Sequence, residues 1–135
     1  MTQRTRFKAV VYVVLIIIAV SLLVWWNGYN SAKSRDYQRL ADLEILQSQL
    51  TYYFYDFNTY QIPECQIDSL VNYCNGSGDR VVDLRRIVDP INRGMYQYTV
   101  NSLLDSDYII SFALETKVAG VVPGAYVLTK KGISK

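Results

Sequence analysis

The chain has 135 residues, 14 basic against 12 acidic, a net charge of +2 and no histidine. The missing histidine removes the commonest general base and metal ligand, and the near balance of charge leaves no basic field to draw nucleic acid. There is no glycine-rich phosphate loop and no nucleophile elbow, so neither catalysis nor a cofactor is expected.

The first element is the apolar run Ala9 to Trp26, which carries no charge and is interrupted only by Tyr12 and Ser21. As a helix it spans about 27 Å, close to the hydrocarbon core of a bilayer. This predicts an uncleaved transmembrane helix with the lipid bilayer as its first partner. A cleaved signal peptide and a buried helix of a soluble protein are the alternatives. Against cleavage, the run is long and ends in the bulky Leu22-Leu23-Val24-Trp25-Trp26 rather than in small residues. Trp25 and Trp26 suit the membrane interface, and are equally the last turn of an apolar helix. The head carries Arg4, Arg6 and Lys8 and no acid. Lys33, Arg35 and Arg39 on the other flank lie farther from the run. Proximity of charge predicts a single-pass protein of the cell membrane, its N-terminus cytoplasmic and its body extracytoplasmic.

Residues 27–135 number 109 and suffice for one small domain. Residues 27–57 read as an amphipathic continuation of the same helix. Leu43, Leu46, Leu50, Tyr53 and Phe57 recur at intervals of three and four, and Leu40 and Phe54 widen the stripe. Arg35, Asp36, Arg39, Asp42 and Glu44 read as charge around it, with helical ion pairs a minor term. Gly28 is the one candidate kink. A continuous rod of 45–50 residues would reach about 70 Å. The expected organisation is a basic head at 1–8, the membrane helix at 9–26, its continuation at 27–57 and a loop-plus-sheet domain at 58–135.

The helix ends in an aromatic stretch, Thr51 to Tyr60, which reads as the cover of a helix–sheet seam. A ligand-stacking surface is the lesser reading, since no basic residue lies nearby. After Pro63 the chain turns to loop, with one short helical turn expected within Ile67 to Tyr73. Cys65 and Cys74 lie nine apart. Outside the cytoplasm they predict a disulfide; two free thiols and half of a metal site remain open. Asn75-Gly76-Ser77-Gly78-Asp79 is a turn signal, and Asn75 opens an N-x-S pattern that is weak alone. Val82 to Val88 reads as a short helix or turn that stops by Asp89-Pro90.

Three strands follow: Met95 to Val100, Tyr108 to Leu114, and Ala125 to Thr129, the first two joined by a hairpin turn at Leu104-Asp105-Ser106-Asp107. Lys117 to Gly124 is either an extension of the second strand or a loop. The fold class is α+β: a long N-terminal helix, membrane-spanning in its first half and amphipathic in its second, packed on a small antiparallel β-sheet.

Several stretches resemble the type IV pilin and type II secretion pseudopilin superfamily. They are Ser34 to Leu43, Ile45 to Leu50, Tyr52 to Asp56 with Thr59-Tyr60 and Pro63, Val88-Asp89-Pro90, and Tyr108 to Glu115. Together with the apolar helix the likeness covers most of Ala9 to Thr129, in order. It implies a pilin-like stalk and body, with Leu40, Leu43, Leu46, Leu50, Tyr53 and Phe57 carrying the packing of stalk on sheet. The chain departs from the family at its start. Family precursors have a basic leader ending in glycine, then phenylalanine, and a glutamate a few residues into the apolar helix. Here Phe7 is flanked by Arg6 and Lys8, no glycine precedes the helix, and no glutamate occurs before Glu44. The usual processing is therefore not expected, and the resemblance implies the stalk and body without implying standard polymerisation.

The leading expectation is a membrane-anchored structural subunit or accessory of a type IV pilus, competence or type II secretion-like system. Its partners would be other pilin-like subunits or assembly proteins, met through the N-terminal helix. The alternative is a stand-alone extracytoplasmic binding or sensing module that does not polymerise, using Tyr52, Tyr55 and Tyr60. An enzyme is the weakest class. Asp105 with Asp107, and Asp79 with Asp83, are acidic pairs better suited to calcium than to catalysis, and simplest as solvated turns.

Overall fold

The computed structural model describes residues 3–74 and 83–135, with side-chain surroundings from Lys8 onward except Ala9. The expected turn at Asn75 to Asp79, the N-x-S pattern at Asn75, and Val82 lie outside the described residues. One helix, α1, runs uninterrupted from Gln3 to Phe57, 55 residues. Gly28 does not break it. Its end is fixed at Asn58, which adopts the left-handed region (φ 55°) and donates its N–H to the Phe54 carbonyl at 2.7 Å. That is the single-bond C-terminal cap, at a residue type that tolerates positive φ.

The sheet has four antiparallel strands in sequence order: β1 (Thr99–Leu103), β2 (Tyr108–Leu114), β3 (Gly124–Thr129) and β4 (Gly132–Ser134). Together with the long helix this is an α+β fold. The first strand starts later than the alternation at Met95 to Val100 predicts. Arg93 and Tyr96 pair across a tight reversal with Gly94 at φ 58°, so the front half of the expected strand is a turn. β1 bonds to β2 with a register shift between Val100 and Ser102, as an extra residue in one strand produces. The short β4 was not foreseen. The helical turn expected within Ile67 to Tyr73 is a 3-10 turn at Val71–Tyr73. Leu84 to Ile87 forms a turn, not a helix.

The undecided stretch after β2 resolves as a reversal. Val118 and Val121 exchange both backbone hydrogen bonds, at 3.0 and 2.8 Å. Between them Ala119 (φ 49°) and Gly120 (φ 83°) both take positive φ, the requirement of a two-residue hairpin turn matched to strand twist.

β2 and β3 alternate as half-buried sheets do. Tyr108, Ile110 and Phe112 of β2 and Tyr126 and Leu128 of β3 face the core, while Ile109, Ser111, Ala125 and Val127 remain at least partly accessible. Ile110 stands opposite Leu128 and Phe112 opposite Tyr126, the latter rings 5.8 Å apart. Against this face lies one side of α1, with Leu43, Leu46, Leu50 and Tyr53 each at most 2% exposed. Ile62, Val71, Cys74, Leu84 and Ile87 close the core from the connecting loops.

The chain path gives the body two ends. Tyr60, just past the helix, packs on Phe54 and on Tyr108 at the start of β2, rings 4.7 and 5.0 Å apart. Glu115 and Thr116, just past the end of β2, meet Asp36. β2 therefore runs antiparallel to the helix, and its far end points toward the apolar segment.

Candidate functional site

The core-facing seam of α1 continues below Leu43. Positions 36, 39, 43, 46, 50 and 53 follow one another at alternating steps of three and four, so one line of the helix faces the sheet. Its lower two members are Asp36 and Arg39, both with no exposed surface. The expectation that these charges lie around the stripe is corrected here: they lie on it, and their ion pairs are the main polar contact of stalk with sheet.

Arg39 is the hub. Its guanidinium donates twice to Asp89, from Nε at 2.5 Å and from Nη2 at 3.0 Å, and from Nη1 to Asp36 and Glu115, both at 2.7 Å. The Tyr96 ring lies under it, 4.9 Å from centroid to the guanidinium carbon, a cation–π arrangement. Asp36 uses its other lone pairs on β2's end, accepting from the Thr116 backbone N–H at 2.7 Å, the Thr116 hydroxyl at 2.8 Å and the Glu115 N–H at 3.0 Å. Asp89 holds its own loop by accepting from the N–H groups of Ile91 and Asn92 at 2.8 and 3.2 Å, a turn closed by an aspartate side chain. Arg35 completes the group with a two-pronged pair to Glu115 at 2.8 and 2.6 Å. Three carboxylates and two guanidinium groups thus tie the helix to the 89–96 loop and to the end of β2.

The electrostatics follow from that geometry. Burial by itself disfavours the charged Arg39, but the hydrogen bonds to Asp89, Glu115 and Asp36 outweigh it and hold its pKa above the ordinary value. Hydrogen bonding from Arg35, helped by Arg39, holds the Glu115 carboxyl below the ordinary range. One turn higher, Asp42 accepts from the Tyr98 hydroxyl at 3.1 Å. Burial raises both of their pKa values.

The remaining named residues fall into separate places. Leu40 and Phe57 are partly buried and pack on the core beside Leu43, Leu46, Leu50 and Tyr53. Cys65 and Cys74 form a disulfide. Trp25 and Trp26 are exposed, and Trp25 stacks on Tyr29 at 6.2 Å. Of the three tyrosines assigned to a binding surface, Tyr52 and Tyr55 are exposed, but Tyr60 is buried. Its rings-on-rings packing makes it core, so the three do not form one patch. Asp105 accepts from the Thr59 hydroxyl at 3.0 Å, and Asp107 from the backbone of Tyr108 and Lys130 at 2.9 and 3.2 Å. Both carboxylates are engaged in the hairpin, and Asp79 lies outside the described residues. Among the described residues no three His, Cys, Asp or Glu side chains are grouped to hold a metal.

Below the clasp, α1 is long and apolar enough to cross a membrane, and none of its apolar window is buried against the body. No family model matches the chain, and no curated protein or solved structure matches it significantly.

Proposed function

We propose that the chain is a single-pass membrane protein of pilin-like design, a structural subunit or accessory of a type IV pilus, competence or type II secretion-like system. The observation that carries this reading is the division of one unbroken helix. Its first half exposes Val10 to Trp26 on every side, while its second half is seamed onto a four-stranded antiparallel sheet. A helix apolar all round needs lipid or other apolar helices. The ordered resemblance of the stalk and of Val88-Asp89-Pro90 to pilin-like proteins supplies the rest. The basic head supports an N-terminus in the cytoplasm, with the disulfide-bearing body on the oxidising side.

A second reading is favoured by one observation. No acidic residue occurs before Asp36, so the apolar segment has no carboxylate to neutralise a neighbour's amino terminus. In this reading the same anchored body stands alone and does not polymerise. Electron microscopy of gold-labelled protein on cells separates a filament subunit from a protein that does not polymerise. Label on filaments supports the subunit; label spread uniformly over the membrane removes it and leaves an accessory or independent module.

A further inference from the structure

The clasp fixes how far the body stands from the apolar helix, and the described residues it turns toward that helix leave unpaired charge of a single sign. Two reversals close this end: 93–96, beyond the Tyr96 that lies on Arg39, and 118–121, beyond the Thr116 that binds Asp36. Each ends a stretch of chain that descends along the helix and turns back. With the helix at 27–35 they present Lys33, which is half-buried, and Arg93 and Lys117, which are exposed. No acidic residue occurs in 27–35, 90–97 or 117–126. Among the described residues the acids nearest this end, Asp36, Asp89 and Glu115, are buried or paired in the clasp. The opposite end is mixed in sign, with exposed Asp56, Glu64 and Asp105 beside Lys130 and Lys131. Beside the basic residues stand two exposed apolar side chains, Met95 (61%) and Val122 (47%).

We propose that this base docks on the headgroup layer of the membrane that α1 crosses, with anionic phospholipid as the partner of Lys33, Arg93 and Lys117. From Trp26 to Lys33 is seven residues, about 10 Å of helix. The interfacial layer beyond the hydrocarbon is about 5–7 Å thick, and the physiological Debye length is about 8 Å. Lys33 therefore lies within reach of the surface potential of an anionic leaflet, which falls off over that distance. Met95 and Val122 are placed to enter the interface as the basic residues meet phosphate. The body would then be held upright on the membrane rather than swinging on a bare stalk.

The proposal rests on the anchored reading, and the test separates the two. The full chain is reconstituted in vesicles of phosphatidylcholine, alone or mixed with phosphatidylglycerol, and amide hydrogen exchange is followed in 91–96 and 117–123. The anionic vesicles are expected to slow exchange there by about an order of magnitude, with the distal hairpin 104–107 unchanged. High salt, where screening shrinks to about 3 Å, restores fast exchange. So does the triple variant Lys33→Gln, Arg93→Gln, Lys117→Gln, whose sites lie outside the core. Equal exchange in both lipids, or protection that follows protein density instead of lipid charge, overturns the docking alone. Extraction of the protein from the vesicles by alkaline carbonate overturns the anchored reading and the docking with it.

Discussion

The two halves of α1 are built by the same backbone and solve opposite problems. Residues 10–26 are apolar on all sides and touch nothing in the body. Residues 36–57 present one line to the sheet, apolar from Leu43 upward, and leave Tyr37, Glu44, Ser48, Tyr52 and Tyr55 exposed. The transition is not gradual. Where the body begins, the seam carries not leucine but Asp36 and Arg39, wholly buried and fully engaged. Apolar packing is non-directional and would let the sheet slide along the helix. Charged hydrogen bonds with fixed geometry set the register. The contrast teaches that the upper seam supplies burial and the lower seam supplies position.

Breaking the position half is expected to cost most. Arg39→Met strands Asp36 and Asp89 as buried carboxylates without their cation and is expected to destabilise by about 3–5 kcal/mol, read by urea unfolding in detergent. Adding Asp36→Asn and Asp89→Asn is expected to recover part of the loss, because the amides remove the two stranded charges and can still accept from the backbone N–H groups of Thr116 and Ile91. In the burial half, Leu46→Ala removes a fully enclosed side chain and is expected to cost about 2–5 kcal/mol. The distinction sharpens in what survives. The alanine variant should keep slow exchange at Glu115 and Thr116, whose N–H groups bind Asp36, and the Arg39 variant should lose it.

Reducing the Cys65–Cys74 disulfide is expected to cost about 2–3 kcal/mol by the entropy of so short a loop. The bond ties loops that close the core and lies away from the clasp, so Arg39→Met and reduction should add. Acid gives a smaller, signed effect. Glu115 titrates below the ordinary range in the folded chain, so its contribution is present above the unfolded carboxylate value of about 4.3. It is lost as pH falls through the lower folded value. Asp42, raised by burial, acts oppositely: its protonation on acidification favours the fold. The stability advantage of the natural chain over Glu115→Gln should therefore be full near neutrality and vanish in strong acid. The smallest expected change is a gain. The Tyr108 hydroxyl is buried with no hydrogen-bond partner, and Tyr108→Phe removes a polar group that burial penalises, raising stability by about 1 kcal/mol.

Much of the architecture was legible because it is periodic. An unbroken apolar run, then leucines at three and four, can be read without a structure, and β2 and β3 announce themselves by β-branched and aromatic density. The strand that failed, Met95 to Val100, shows the limit of alternation. Tyr96 and Tyr98 alternate, yet Tyr96 closes a turn over Arg39 while Tyr98 reaches Asp42. β4 is three residues long, too short for a pattern to show. The clasp was missed for a different reason. Asp36 and Arg39 look like ordinary helix-surface charges, and their partners Asp89 and Glu115 lie 50 and 76 residues from Arg39. One signal was present: both sit on the three-and-four register of Leu43, Leu46 and Leu50, where a solvated charge does not belong.

The division of α1 is tested most directly by nitroxide labels placed one at a time from residue 10 to residue 57 in lipid vesicles, with oxygen and a water-soluble quencher as probes. Oxygen-rich, water-poor surroundings are expected at every position through residue 26. A period of 3.6 residues should then begin near 36, with minima at 39, 43, 46 and 50. Water-accessible labels between 10 and 26, or a helical period of burial against the body beginning there, would contradict it.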